Sequence, residues 1–489
     1  MLTFKKKNMN SYKYISIILV LATSLVACTK DFEEINTNPH APVEAQPSLL
    51  LRQVIYNTGE EMSYEGFVAG NLLSQHFTMV DFNLFDRHNL AQPQLGGNPW
   101  SILYQNLRDN EILLSKARSS SAFEVYEGPA MILKAHLAGM LTDIYGDMPY
   151  FQAFDGKNGT TTPVYDSQMA IYSAEGGILD LLAKGVEKVV NFKGSFNLEG
   201  DVLFHGDLTA WQKFGNSLRI KYLMRSSTKL SNSVALQEIV NDMQYQNNNF
   251  ENAVFDFTNG QPNNFRMANL RDGDFNLYIM SETAEDIFTK YNDPRVEVFF
   301  RQISNNTTGA ILYKGLLNGP DASATSISIA DYSLAGRIFR EETGRLDANY
   351  MTAWETNFLL AEAAEKGIIS GSAKGYYDGA VQQAFDYWGI AMPTDYLTTG
   401  AAVYGTNNLE LIAEQKWIAN CINGYESWIE FRRTGFPALK TVSASLNGDL
   451  IPVRMPYPTS EQALNADNYA VAAASYGGNS VNAKTWWDR

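Results

Sequence analysis

The stretch Leu133-Lys-Ala-His-Leu-Ala-Gly-Met-Leu-Thr-Asp-Ile-Tyr-Gly146, followed by Asp147-Met148-Pro149-Tyr150, decides how the chain is read. Leu133, Leu137, Met140, Leu141 and Ile144 fall at offsets 0, 4, 7, 8 and 11, the spacing of one face of an α-helix. Gly146 is a good C-terminal stop, because it enters the left-handed region without a Cβ penalty. Just before it, Trp100, Leu103, Tyr104, Leu107 and Leu114 mark the apolar face of another helix, interrupted only by Glu111. Two adjacent amphipathic helices with a short link form an antiparallel pair.

The same reading extends outward. Ser48 is a plausible N-cap before Leu49-Leu50-Leu51. The 63–99 segment begins as a helix and then turns irregular, with Gln92 to Pro99 as loop. Residues 166–191 read as one helix capped by Asp166 or Ser167, and Asp207 to Lys229 as another, carrying Trp211, Phe214, Leu218, Tyr222 and Leu223. Tyr245 to Phe265 is rich in Asn and Gln and offers no long element. Residues 256–345 alternate short apolar runs with Gly, Asn and Ser, which predicts loops and short strands. Helices return over 349–434. Trp354, Phe358, Ala361 and Ala364 line one, ended by Gly367; Tyr377, Ala380, Val381, Ala384 and Trp388 line the next. This pair, with Ala at close-approach positions, resembles a tetratricopeptide unit with a lengthened linker. Two further helical stretches cover roughly 407–423 and 425–434, and the tail from Arg454 to Asn468 reads as extended, then turn-rich. The expected fold is mainly α: a tetratricopeptide-like helical-repeat scaffold over 48–235 and 349–434, with an irregular, loop-rich insertion at about 245–345, all within one domain, 48–489.

The N-terminus carries an address. Lys5, Lys6, Lys7 and Lys13 precede an apolar run, Ile15 to Leu25, too short to span a bilayer. Leu25-Val26-Ala27-Cys28 then has the order of a bacterial lipoprotein signal, in which the cysteine is acylated and residues 1–27 are removed. The alternative is an ordinary signal peptide cleaved near Ala27. Residues 28–47, polar, acidic and Pro-containing, read as a tether. No later run is long and apolar enough for a transmembrane helix, so acyl chains, at about 0.8 kcal/mol per buried methylene, would do all the anchoring.

Composition narrows the partners. With 38 basic and 53 acidic residues the net charge is −15, a surface that repels phosphate backbones and argues against nucleic acid. Only two cysteines exist; if lipid claims Cys28, Cys421 has no disulfide partner. Aromatics reach 12%; most read as core or helix-packing residues, and a surplus on an acidic surface is also what carbohydrate binding uses, since apolar sugar faces stack on aromatic rings. Catalytic signals are sparse. His40, His76, His88, His136 and His205 form no His-Glu-x-x-His, and there is no Cys-x-x-Cys, phosphate loop or nucleophile elbow. Ser226-x-x-Lys229 matches a serine–lysine spacing, but sits at a helix end without companion motifs. No catalytic residue, resident cofactor or zinc site is assigned. Arg271-Asp272-Gly273-Asp274-Phe275-Asn276 leaves a structural calcium open, a plain turn explaining it equally well.

Five motifs in order are similar to the SusD/RagB family of outer-membrane nutrient-binding lipoproteins of Bacteroidetes. They are the lipidated start with Asp31-Phe32-Glu33-Glu34-Ile35-Asn36-Thr37-Asn38-Pro39; Trp100 to Tyr104; Leu133 to Tyr150; Asp293-Pro294-Arg295; and Pro456-Tyr457-Pro458-Thr459-Ser460-Glu461 with Leu464-Asn465. The resemblance implies a non-catalytic surface lipoprotein that captures an oligomeric nutrient, foremost a glycan. It implies delivery to a SusC-like TonB-dependent transporter on which the protein acts as a lid, with the lipid anchor facing the cell exterior. Peptide capture is the alternative within the family, a surface glycoside hydrolase the alternative outside it, and a ligand-free helical adaptor a third reading. The family's sugar-stacking residues do not align here. Candidates for ligand contact therefore come from the irregular segments: Phe82, Phe85 and Arg87 in the early loop, and Phe265, Arg266, Phe275 and Tyr278 in the insertion. Each has packing as an equal alternative. Trp100, Tyr145, Pro149 and Tyr150 read as scaffold.

Overall fold

Asp143 ends a long apolar helix with a carboxylate turned into the protein, and four further carboxylates meet it there from other helices. A computed structural model describes residues 45–91, 95–304, 309–324 and 326–488. Cys28, the signal and most of the tether lie outside them. Among the described residues, the helices of ten residues or more are α1 (Pro47–Glu65), α2 (Trp100–Ser119), α3 (Glu127–Tyr145), α4 (Ile178–Asn191), α5 (Leu208–Arg225), α6 (Ser233–Asp242), α7 (Glu282–Tyr291), α8 (Ala353–Glu365), α9 (Ala373–Trp388), α10 (Asn408–Ala419), α11 (Gly424–Thr434) and α12 (Ala466–Ser475). The chain is mainly helical, as expected.

Successive helices α2 to α5 pack as neighbours (α3 against α2 and α4, α4 against α5), and α8 packs on both α9 and α5. Local chemistry places their ends. Asp207 accepts the Thr209 and Ala210 N–H groups to start α5, Thr352 accepts that of Glu355 to start α8, and Gly146 closes α3 at φ +83°. Among the described residues six short strands form three antiparallel pairs: β1 (Phe77–Met79) with β3 (Tyr278–Met280), β2 (Ala253–Asp256) with β6 (Asp347–Met351), and β4 (Ile303–Ser304) with β5 (Ile311–Leu312).

Several sequence expectations are corrected. The single helix over 166–191 is two, Gln168–Ser173 and α4, because Gly176 takes φ +74° between them; Ser167 is the cap of the first. Lys229 lies beyond α5, and the buried Ser226 hydroxyl is spent on the Tyr222 carbonyl. The insertion contains α7, whose cap Ser281 and apolar Ile287, Phe288 and Tyr291 are a readable signal. The 349–434 block opens as strand β6, and the tail carries Thr459–Leu464 and α12.

The core of the scaffold is ionic as well as apolar. Arg225 is buried with Nη1 2.5 Å from Asp143 and Nη2 2.6 Å from Glu426. Lys221 contacts Glu426 at 2.8 Å and Glu355 at 3.1 Å, Lys416 contacts Glu430 at 3.1 Å, and Arg433 holds Glu362 at 2.5 Å and Glu430 at 2.6 Å. Burial alone would raise these carboxyls, but Arg225 and Lys221 hold Glu426 down to about 2, and Arg433 does the same for Glu362. Removing one partner strands the others in a medium where an unpaired charge is costly.

Two outcomes follow from this network. Arg225→Met is expected to cost about 3–5 kcal/mol in urea unfolding, the usual loss when one member of a buried ion cluster is removed. The pH response has a defined sign. The depressed Glu362 and Glu426 contribute stability present above pH 4.5 and lost as pH falls toward 2. Between pH 7 and 4.5 two sets oppose each other. Burial holds His76 and His136 down to about 3 and His88 down to about 4, so stability drains below pH 6.5; burial raises Glu65 and Asp347 to about 7, so they gain it. The urea midpoint should therefore change less from pH 7 to 5 than from 4.5 to 3, and the reverse order would remove the network from its stabilising role.

Candidate functional site

Three loops far apart in sequence meet at one buried carboxylate. Asp86 lies in the loop after β1 and accepts the Thr78 hydroxyl at 2.8 Å, the Met79 N–H at 3.1 Å, the Asn318 amide at 2.7 Å and the Gly319 N–H at 2.7 Å. Burial pushes its carboxyl up, while these four donors oppose the shift by favouring the charged form. Asn318 and Gly319 carry the second loop. Asn83 ties the first loop to it again, donating to the Pro320 carbonyl at 2.7 Å. The third loop docks on both: Ser443 and Ala444 N–H groups donate to the Asn318 and Gly319 carbonyls, Leu446 N–H donates to the Arg87 carbonyl, and Arg87 Nε donates to Ala444. His88 bonds the Leu450 carbonyl at 3.2 Å, and burial keeps its ring neutral down to about 4.

This framework leaves specific groups outside. Phe82 is 63% exposed and takes φ +50°, a left-handed conformation that a bulky side chain adopts only when its surroundings enforce it. Beside it in sequence Asp81 is exposed, and its carboxylate caps the Phe82 N–H at 2.7 Å. Arg87 stands 3.7 Å from Asp321, both partly exposed. Leu446 and Leu450 are exposed on the third loop. An open ring face, a guanidinium and carboxylates with free lone pairs make a surface able to stack and hydrogen-bond at once.

The base of the first loop is fixed from α1. Tyr64 donates to the Leu95 carbonyl at 3.0 Å, and the Glu65 carboxylate accepts the Gly97 N–H at 2.6 Å. Gly97, at φ +106°, lies so close to the Phe85 ring that a Cβ would come within 2.6 Å of it.

Of the seven sequence candidates, only Phe82 and Arg87 lie on this three-loop framework with surface left open, Phe82 exposed and Arg87 partly so. Phe85, Phe265, Phe275 and Tyr278 are corrected to core residues, 5%, 0%, 1% and 1% exposed, with no ring face left for a ligand. They pack around the buried Phe67: Phe265, Phe275 and Tyr278 lie 5.9, 6.5 and 5.4 Å from its ring centroid, and Phe85 is closed in by Gly97. Arg266 is part-exposed, but its partners are on α1: the Glu61 carboxylate at 2.6 Å and the Tyr64 ring at 4.2 Å. The acidic run at 271–276 is a helical turn whose carboxylates face arginines, Asp274 with Arg271 and Asp272 with Arg340. No group of three metal-ligating side chains occurs among the described residues. Sequence reasoning missed Asp86 and the loops at 318–323 and 443–450. Asn318-Gly319-Pro320-Asp321 is a turn signal that could have marked the second of the three.

The comparisons agree with this fold. A family model described as SusD-like_2, starch-binding associating with outer membrane, matches residues 39–458. A SusD homologue from Bacteroides fragilis is 25% identical with a TM-score of 0.77, over 91% of this chain and 100% of that one. A chitin-binding protein is 24% identical with a TM-score of 0.75 over the same shares. A chitin-binding SusD homologue from Flavobacterium johnsoniae is 21% identical, TM-score 0.74, over 90% of this chain and 97% of that one. No curated protein matches the sequence. Among the described residues no helix is long and apolar enough to cross a membrane.

The Asp86 framework is testable apart from any ligand. Asp86→Ala leaves four donors without their acceptor and should cost about 1–3 kcal/mol. Hydrogen exchange should rise at the Met79 and Gly319 amides and stay unchanged in α8 and α11; an unchanged Gly319 rate would show that the loops are held by other means.

Proposed function

Since the chain belongs to the SusD-like family of starch-binding proteins that associate with the outer membrane, we propose that its three-loop surface captures a neutral oligosaccharide at the cell surface. The observation that carries this reading is Phe82, an exposed ring on a loop whose backbone is held through Asp86. Sugar rings have apolar C–H faces that stack on such a ring and hydroxyl edges that Asp81, Arg87 and Asp321 can meet. Pre-organisation matters here because a loop already fixed by Asp86 loses little conformational entropy on binding.

The role is capture without catalysis. Lipid on Cys28 holds the protein to the outer membrane, facing outward. A SusC-like TonB-dependent transporter receives the ligand, with this protein closing over it as a lid. Modest affinity suffices in that arrangement, because a tethered lid keeps its ligand at high local concentration above the channel.

Titration calorimetry with malto- and chito-oligosaccharides tests the reading. Binding should appear with at least one series, and Phe82→Ala should weaken it about ten-fold, roughly the 1.4 kcal/mol of one stacking contact with its burial. Full affinity in Phe82→Ala would move the site elsewhere, and release of shorter sugars by the wild type would favour the glycoside hydrolase. Purification of the lipoprotein from outer membranes should bring a β-barrel transporter with it at near-equal amounts.

A further inference from the structure

The second loop of the proposed site runs back along the chain to a groove that the site does not use. Residues 314–318 lie beside β3: the Leu316 N–H donates to the Met280 carbonyl, Glu282 N–H donates to Leu316, and Lys314 and Ser333 exchange bonds. One end of this segment is Asn318 on Asp86. The other is Tyr313, next to β5. Two cavities adjoin there, of about 400 and 540 Å³, and both are lined by Glu297, Gln302 and Tyr313. Each is within the size range of small-ligand sites.

The lining has two characters. On one side of Tyr313, Phe288, Pro294 and Pro393 offer apolar surface beside Thr289 and Asn292. On the other, Arg301, Arg337 and Arg345 form a polar wall. Two carboxylates are shared among them: Arg301 pairs with Glu341 at 2.6 Å, Arg337 with Glu341 at 3.0 Å and Glu342 at 3.2 Å, and Arg345 with Glu342 at 2.9 Å, while Glu297 on the same lining supplies a third negative charge. With Glu297 counted, three arginines face three carboxylates, so the wall keeps N–H donors available without selecting an anion. Tyr313 is part-buried, with Gln302 hydrogen-bonded to it and Glu297 close by, so an aromatic ring, an amide and a carboxylate converge at the junction. An apolar face opposed by donors and acceptors suits a pyranose, which has the same two-sided character.

We propose that this groove is a second subsite for the same neutral oligosaccharide, with Tyr313 as its stacking residue and Gln302 and Glu297 as hydrogen-bonding partners. The inference rests on the glycan-capture reading above and deepens it. The chain from Tyr313 to Asp321 spans at most about 29 Å fully extended, so the groove and the Phe82 surface are near enough for one long oligosaccharide to bridge them. The protein then discriminates by chain length: short oligomers use the Phe82 surface, long ones use both.

The experiment is calorimetry on the full-length lipoprotein in detergent with a disaccharide and an octasaccharide of the malto- and chito- series. Tyr313→Ala and the exposed Gln302→Ala are each compared with Phe82→Ala, and thermal melting checks that every variant is folded. The expected result is that both groove variants weaken octasaccharide binding, Tyr313→Ala about ten-fold, and leave the disaccharide unchanged. Unchanged octasaccharide affinity in both groove variants, with Phe82→Ala still impaired, overturns the groove and leaves the capture reading intact. Equal weakening of both lengths by Tyr313→Ala also overturns it, since a subsite for extension has no access to a disaccharide on the Phe82 surface. No binding of either series by the wild type overturns the capture reading itself and the groove with it, whereas full affinity in Phe82→Ala at both lengths moves the site off the Phe82 surface and overturns the groove as its extension.

Discussion

The guanidinium of Arg225 is buried against Asp143 of α3 and Glu426 and Glu430 of α11, and α5 supplies it. A charge so placed fixes geometry in a way apolar packing does not. Leu and Ile side chains can repack with small losses, whereas a guanidinium tolerates neither a gap nor a wrong partner. Lys221 extends the contact to Glu355 on α8, Lys416 brings α10, and Arg433 returns to α8 through Glu362. Five helices, two from the first helical block and three from the second, are thereby locked in one register. Tyr172 and Trp487 add hydrogen bonds to Asp143 at 2.5 and 3.0 Å, so the far C-terminal segment closes over the same point.

From that lock to the candidate site the path is short and made of backbone. After Glu65, α1 continues as a π-helical turn, Gly66–Gly70, a geometry often met near functional sites. Gly70 and Gly424 face each other so closely that a Cβ on either would collide with the other's backbone. The π-turn is thus seated on the first residues of α11, one turn from Glu426. From this seat Tyr64 and Glu65 reach the 95–97 loop, and Phe67 gathers the aromatic core under β1 and β3. The ionic core sets where α11 lies, α11 sets the π-turn, and the π-turn sets the floor of the candidate site's loops.

The helical half of this was readable because a helix writes its burial pattern locally. Leu133 to Gly146 and Trp100 to Leu114 emerge where their periodicity and caps place them. The family resemblance rested on those same segments and on Asp293-Pro294-Arg295, where Arg295 is wholly buried on Asp293 at 2.5 Å. The site was legible only in part, for a physical reason. Phe82 and Phe265 are both aromatics in irregular segments, yet one is exposed and the other is at 0%. What separates them is the contact of Phe265 with Phe67, distant in sequence, and no local pattern encodes that contact or the one between the loops at 86, 319 and 444. The ionic network was equally hidden, because Glu and Lys on a helix ordinarily read as its solvated face.

The division between framework and contact residues has a consequence for specificity. Asp86, Asn83 and Asn318 hold three loops and cannot change without releasing them. Phe82, Asp81, Leu446 and Leu450 project outward, and substitution at exposed positions typically moves stability by less than about 0.5 kcal/mol. Ligand preference in such a protein is therefore free to vary at a few exposed positions while fold and loop framework stay fixed. Overall identity near 25% to solved homologues then carries the architecture but says little about the sugar. On the proposed reading that information resides in the chemistry of a handful of exposed side chains on the three-loop surface, where substitution leaves the Asp86 framework intact.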